Sequence, residues 1–360
     1  MTRHKDIQTA IVGAGLIGPR HASAIQNVPG ANVLCIIDPN PATKKVADEF
    51  NALYFPSIAA FKQSDYKADA ALVCTPNHTH IPVANELLDL KIPLLVEKPF
   101  CVEIPPAQAL VKRAEGQQTP ILVGHHRRFN PYVTTARNVL DSGKIGKVVA
   151  IQGSWTTLKP PKYFDPPAEW RRTKGSGGPI RINFVHEVDM LRFLFGNIVR
   201  VAAEGGPVTR ESHGVEESCA ILLRFQSGVV GTFVLSDAVA SGHNFESGTG
   251  ENPMVPMSGS EFLRVYGTRG TLSVPSASVV RFSEPPAGKE TGWECPMQYE
   301  KPETLPGVDA VPFEEQIKHF IRVVHGEEQP SCTAADGLAA VRVCEAVSLA
   351  MERGSWVDVA

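Results

Sequence analysis

The sequence has no CxxC pair and no other cysteine spacing of the kind that holds zinc, although it contains seven cysteines: Cys35, Cys74, Cys101, Cys219, Cys295, Cys332 and Cys344. Several lie in apolar strand or helix patterns, where a free thiol behaves as a small hydrophobe. All seven are read as reduced and structural, and no metal is expected. Also missing is a basic block long enough to track a phosphate backbone. The 35 basic and 38 acidic residues leave a formal charge of −3, which argues against nucleic acid as a partner. No uninterrupted apolar run reaches the roughly 18 residues of a membrane span. The opening stretch MTRHKDIQTAIVGAG runs within a few residues into a strand and its glycine turn, leaving no room for the apolar core of a signal peptide. A cytoplasmic protein with no membrane partner is expected. Internal repeats and low-complexity tracts are absent too.

What is there is material for two cores. A chain of 360 residues is longer than one hydrophobic core usually holds, and 43% hydrophobic with 20% charged residues is the composition of a soluble globular protein. The first third alternates short apolar runs with helical patterns, the signature of βαβ units and a parallel sheet. IQTAIVGAG, VLCIID, AALVCTP, PLLVEKP and TPILVGHH read as five strands, with helices in IGPRHASAIQNV, PATKKVADEF and HIPVANELLDL. This predicts an α/β, doubly wound nucleotide-binding domain over residues 1–124. Beyond residue 145 the pattern turns to hairpins: KVVAIQGSWTTL, SCAILLRFQSGVVGTFVLSDAV and EFLRVYGTRGTLSVP, with Gly228, Gly267 and Gly270 in the connections. Residues 125–360 are thus expected to form an α+β domain with a large, mostly antiparallel sheet, with the C-terminal helices expected to pack back on the first domain.

Gly13-Ala14-Gly15-Leu16-Ile17-Gly18 matches GxGxxG directly after a strand and at the start of a helix. Gly13 allows the tight turn, Gly15 lets a pyrophosphate approach the backbone, and Gly18 lets helix and sheet pack closely. Asp38 ends the second strand, where a carboxylate binds adenosine ribose hydroxyls and repels a 2′-phosphate, favouring NAD over NADP. CTPNHTH and VEKPF end two further strands at the same edge of the sheet. Thr75, Asn77 and His80 serve equally well as turn and cap residues. Glu97 and Lys98 are either a solvated ion pair or a functional pair, since charged residues closing an apolar strand are costly unless paired or used.

In RINFVHEVDM, Asn183, His186 and Asp189 recur every third residue, so a helix sets them on one slowly drifting stripe while Ile182, Val185 and Met190 pack. Trp170, Arg171, Arg172 and Lys174 precede the glycine-rich turn into that helix, as an anion site or as a plain basic loop. Residues 241–260, with His243, Glu246, Glu251 and Asn252, form a long loop that reads as a substrate lid or as a mobile or subunit-contacting segment.

The order Gly13-x-Gly15-x-x-Gly18, Thr75-Pro76-Asn77 with His80, Glu97-Lys98-Pro99 and GHHRRFNP from Gly124 resembles the glucose-fructose oxidoreductase, inositol dehydrogenase and rhizopine catabolism (Gfo/Idh/MocA) family over nearly the full length. The resemblance implies a Rossmann domain followed by the α+β domain above. It implies that Lys98 is the catalytic lysine, that Glu97 helps hold the cofactor ribose, and that Thr75, Pro76, Asn77 and His80 border the nicotinamide. It further implies that Arg127 lies beside the substrate, that His186 is the active-site histidine, and that Asp189 is the acid three residues later. Members similar to inositol dehydrogenase commonly carry an aspartate four residues before that histidine, where this chain has Ile182, with Asn183 the nearest polar residue. That departure points to a substrate those relatives do not share.

The chemistry expected is NAD(H)-dependent interconversion of a secondary alcohol and a ketone on a small polyhydroxylated substrate: a sugar, sugar acid, cyclitol or cis-dihydrodiol. A hydride leaves carbon while a base takes the hydroxyl proton, a task for Lys98 and His186. Asn183 joins them as a substrate contact. Two rival readings are a cofactor-binding regulator without turnover and an NAD-dependent glycosidase with transient oxidation. By analogy with the family, whose antiparallel sheets commonly pack face to face, a homodimer or homotetramer is implied.

Overall fold

The computed structural model describes residues 5–359 apart from 211, 212, 286 and 289, so the first four residues of the opening stretch lie outside the described residues. The chain divides into two compact units, Met1–Phe129 with Ala310–Val341 and Asn130–Asp309 with Arg342–Ala360. The strands of the first unit are β1 (Ile7–Val12), β2 (Ala31–Ile37), β3 (Leu53–Phe55), β4 (Ala70–Val73), β5 (Leu94–Val96) and β6 (Ile121–Val123). Helices α1 (Gly18–Gln26), α2 (Lys44–Glu49), α3 (Ile58–Lys62), α4 (His80–Leu88) and α5 (Ile104–Gly116) connect them. The chain continues through α6 (Pro131–Asp141), β7 (Val148–Thr156), α7 (Val185–Phe195), β8 (Ile198–Gly205), β9 (Ser218–Phe225), β10 (Val230–Ser236) and α8 (Phe245–Thr249). Then come β11 (Leu263–Gly267), β12 (Thr271–Val274), β13 (Ser278–Phe282), β14 (Met297–Glu300), α9 (Pro312–Val324), α10 (Ala334–Arg353) and β15 (Val357–Asp358).

The first unit is the α/β half that its strand pattern predicts. Its sheet is parallel throughout, in the order β3-β2-β1-β4-β5-β6. Strands buried on both faces must be apolar without alternation, and Ala70–Val73 and Leu94–Val96 are wholly inaccessible. The order reverses between β1 and β4, and ligands of open α/β sheets sit beyond the strand ends at such a reversal. Sequence patterning gives no sign of β3, whose three residues are all half-buried. Helix α9 completes this unit's core. Phe313, Ile317, Phe320 and Ile321 form one apolar stripe, Pro312 occupies the first turn with Glu314 and Glu315, and the stripe is buried among the strands and α1. Phe313 carries the Arg20 guanidinium 4.3 Å above its ring and stacks on His126 at 4.4 Å.

The second unit holds the antiparallel sheet, in the order β14-β13-β12-β11-β7-β10-β9-β8-β15. One pair breaks the pattern: β7 and β10 run parallel, from Ala150 opposite Val230 to Thr156 opposite Ser236. Alternate residues of β9, Cys219, Ile221, Leu223 and Phe225, are buried, as a sheet with one covered face requires. The cover includes α7 and the turn before it, with Phe184 against Phe233 and Phe195 against Phe225 at 5.0 and 5.8 Å between ring centroids. Gly153 makes room there, since a Cβ would stand 2.5 Å from the Phe233 ring. On the other face Leu222, Val230 and Val234 are exposed. No described helix is long and apolar enough to cross a membrane.

Candidate functional site

In the first unit β1 delivers the chain into Gly13 at φ +97°, where a Cβ would also stand 2.6 Å from the Cys74 carbonyl oxygen. A Cβ on Gly18 would lie 2.2 Å from the Gly13 carbonyl oxygen, so that helix and turn meet without side chains. Gly15 is different, because nothing lies within 4 Å of its Cβ position. Beside it Leu16 is 97% exposed. An open glycine, an uncovered leucine, half-buried Ile17 and the unpaired first N–H groups of α1 form a cradle that fits a dinucleotide pyrophosphate. Asp38 closes the cradle's far side. Its Oδ2 accepts the Ala14 N–H at 2.8 Å and its Oδ1 the Asn40 N–H at 2.9 Å, leaving further lone pairs for ribose hydroxyls.

The end of β5 carries a buried carboxylate–histidine pair. Glu97, 4% exposed, sets its Oε1 2.7 Å from Nε2 of the fully buried His21 on α1, and its Oε2 accepts the Lys98 backbone N–H at 3.1 Å. Burial alone would raise this carboxyl's pKa, but the His21 hydrogen bond and charge, with Lys98 and His126, hold it down at about 2. Glu97 is thus fixed between the first helix of the glycine turn and the backbone of Lys98, whose own side chain is half-buried. Sequence reasoning missed His21. The available signal was a histidine in the apolar stripe of α1 with Ala22 and Ile25.

His80 binds the two neighbouring strand ends together, its Nδ1 2.8 Å from the Pro99 carbonyl and its Nε2 2.8 Å from that of Thr75. Burial lowers its pKa against the pull of those carbonyls, and the neutral ring donates to one of them at a time. Asn77 and Pro76 lie on the short turn leading into α4, partly or fully exposed. Arg127 is buried in the turn His126–Phe129 after β6.

In the second unit RINFVHEVDM is not one regular helix. Residues Ile180–Phe184 form a π-helical turn, which then runs into α7. Such turns displace side chains from the stripe a regular helix would give and recur at functional sites. Val185 and Met190 pack as expected, whereas Ile182 is only half-buried. Asn183 is half-buried, His186 is 9% exposed and Asp189 1% exposed, so the polar row descends into the protein along the helix.

The group that meets Asn183 is Lys159, which the sequence reading did not single out. Lys159 Nζ donates to Asn183 Oδ1 at 2.7 Å and lies 3.5 Å from Asp237 Oδ2, with the rings of Trp155 and Tyr163 at 5.3 and 4.5 Å. Topology explains the meeting. Because β7 and β10 are parallel, both end at the same edge, and the Lys159 N–H donates to the Asp237 carbonyl at 3.0 Å just beyond them. Burial lowers the Lys159 pKa to about 8, although Asp237 opposes the shift. Asp237 also takes Arg210 Nη1 at 2.6 Å.

Of the basic stretch before α7, Arg171 lies 4.0 Å over the Tyr163 ring and donates to the Tyr163 carbonyl at 2.9 Å, while Lys174 is exposed beside Glu352. The 241–260 segment is folded rather than slack. Asn244 caps α8, Phe245 is fully buried, and Glu246 Oε2 accepts the Trp155 indole N–H at 2.7 Å. His243 bonds the Glu261 carbonyl at 2.9 Å. Among the described residues no cluster of three or more His, Cys, Asp or Glu side chains is arranged to hold a metal ion.

The model of the oxidoreductase family's NAD-binding Rossmann fold matches residues 7–125, and that of the same family's C-terminal alpha/beta domain matches residues 137–359. The chain belongs to this family, Gfo/Idh/MocA, and is an oxidoreductase with an NAD-binding domain. Among its relatives is inositol 2-dehydrogenase of Rhizobium meliloti (strain 1021), 23% identical over 98% of this chain and 99% of the relative. The fold recurs in an oxidoreductase from Agrobacterium radiobacter in complex with NAD+, L-tartaric acid and magnesium (TM-score 0.80, 21% identity, 99% of each chain). It recurs also in the WlbA dehydrogenase from Bordetella pertussis in complex with NADH and UDP-GlcNAcA (TM-score 0.78, 19% identity, 99% of this chain and 98% of that one).

Proposed function

We propose that the protein is an NAD(H)-dependent dehydrogenase that interconverts a secondary alcohol and a ketone on a small polyhydroxylated substrate. The observation that carries this reading is the chain of contacts from the first helix of the glycine turn to Lys98: His21 Nε2 to Glu97 Oε1, then Glu97 Oε2 to the Lys98 N–H. A proton-transferring side chain is thereby held to the same element that cradles a dinucleotide. Gly13, Gly15, Leu16, Ile17, Gly18 and Asp38 hold its adenosine and pyrophosphate half, and Thr75, Pro76, Asn77, His80 and Glu97 the other half. When bound, the nicotinamide supplies the hydride acceptor or donor.

Lys98 Nζ takes the hydroxyl proton in oxidation and returns it in reduction, with His186 as the second proton-carrying group. Arg127 and Asn183 hold the substrate. Kinship with an inositol dehydrogenase and the bound ligands of the structural neighbours support a polyhydroxylated substrate. Asp38 favours NAD over NADP. The exposed Leu222, Val230 and Val234 support a homo-oligomer formed through the open sheet face, and a cytoplasmic location is part of the same proposal.

The test is a screen of polyols and sugar acids for formation of reduced nicotinamide by the wild type and by Lys98→Ala. Loss of turnover with cofactor binding retained supports the assignment. Unchanged turnover on an identified substrate overturns it.

A further inference from the structure

Asn183 has a defined orientation because of what it touches. An ammonium only donates, so the atom 2.7 Å from Lys159 Nζ is the amide oxygen, and the Nδ2 donors are turned the other way. No acceptor among the described residues takes those donors, and the half-buried side chain leaves them open to a ligand. Lys159 cannot easily relax from this arrangement. Its backbone is tied to Asp237, its ammonium lies against the Trp155 and Tyr163 rings, and Trp155 is in turn held by Glu246. Asn183 stands three positions before His186, at the start of the polar row.

Around the clamp the cations Lys159, Arg171 and Arg210 stand against the carboxylates of Asp237, Glu246 and Glu217, and Asp237 is shared between Lys159 and Arg210. An aspartate one position earlier, as in relatives of the inositol type, would present acceptors that read hydroxyl hydrogens. Here the polar group at this end of the helix presents donors, with the Lys159 ammonium on the other side of the amide.

We propose that Asn183, oriented by Lys159, is a specificity-determining substrate contact and that it selects a substrate bearing a carboxylate, a sugar acid in preference to an uncharged polyol. The inference rests on the dehydrogenase reading above. A hydroxyl oxygen could accept the same hydrogen bond, but a carboxylate oxygen accepts it as a charge-assisted bond, and more strongly. Lys159 acts through Asn183 as a positioning residue.

The full chain, first titrated with NADH, is titrated calorimetrically with D-gluconate and D-glucuronate and, as uncharged counterparts, D-glucitol and myo-inositol. The acids are expected to bind at least about tenfold tighter than the polyols, the size of one good charge-assisted contact. Asn183→Asp, nearly the same in shape, should weaken the acids about 100-fold through charge repulsion and the polyols at least about tenfold less than that. Lys159→Met should reduce the acid preference to within about threefold, whereas a purely structural Lys159 would weaken both classes together. Equal binding of acids and polyols, no binding of either acid, or an equal loss of both classes in Asn183→Asp overturns the inference. In those cases intact NADH binding and turnover of a neutral polyol leave the dehydrogenase reading standing. Failure to bind NADH overturns both.

Discussion

Glu97 in the first unit and Lys159 in the second are both buried charges, and their surroundings treat them in opposite ways. The Glu97 carboxyl is held at about 2, below its ordinary range, so its partners more than offset the cost of burial. Lys159 falls to about 8, below the ordinary lysine range, so its partners offset only part of that cost. An over-compensated charge holds its neighbours in place, here the Lys98 backbone. An under-compensated one still has stabilisation to gain from a ligand of opposite sign.

The largest effect expected belongs to the group that Glu97 holds. Lys98→Ala should lower kcat by roughly 10²- to 10⁴-fold, the range for loss of a general acid or base, measured by steady-state kinetics on a substrate from the screen. Next comes the pair itself. Glu97→Ala leaves His21 buried without its carboxylate and should cost about 3–5 kcal/mol of folding free energy in denaturant titrations. The acid response follows the sign of the shift. A carboxyl depressed in the folded state stabilises it above the unfolded pKa of about 4.5, and that stabilisation is lost as pH falls toward about 2. The variant should therefore show less acid destabilisation than wild type across that window.

Lys159→Met should cost about 1 kcal/mol or less, since removing an under-compensated cation leaves Asp237 to Arg210. A larger cost than that of Glu97→Ala would break the comparison. The smallest effect sharpens it. Gluconate affinity should be full below pH 8 and fall several-fold as pH rises through it, because Lys159, flanked by Asp237, Glu246, Arg171 and the Tyr163 ring, loses its proton near there. In Lys159→Met the affinity should be flat over the same range.

The two units also differ in how openly the sequence displays them. The glycine turn works through backbone at fixed offsets, so one short window contains every part of it, and Asp38 follows at a spacing set by one βαβ unit. The hairpins around Gly228 and Gly267 are equally local. By contrast His21 meets Glu97 across 76 positions and Lys159 meets Asn183 across 24, and no periodicity links such pairs. They become neighbours only through strand order: β1 beside β4 and β4 beside β5 in one sheet, β7 parallel to β10 in the other. The π turn at Ile180–Phe184 was hidden for another reason, because apolar spacing records which faces are buried and not which carbonyl each N–H reaches.

Helix α9 carries a consequence for biosynthesis. Phe313, Ile317, Phe320 and Ile321 belong to the core of the unit that begins at the N-terminus, yet they leave the ribosome after nearly the whole second unit has been made. Until then the nascent nucleotide-binding unit exposes the apolar surface those side chains will cover, including the part around Ile25 on α1. A ribosome-bound chain arrested before residue 310 should accordingly be captured by hydrophobic-binding chaperones and cut readily by protease, and release of the α9 segment should end both.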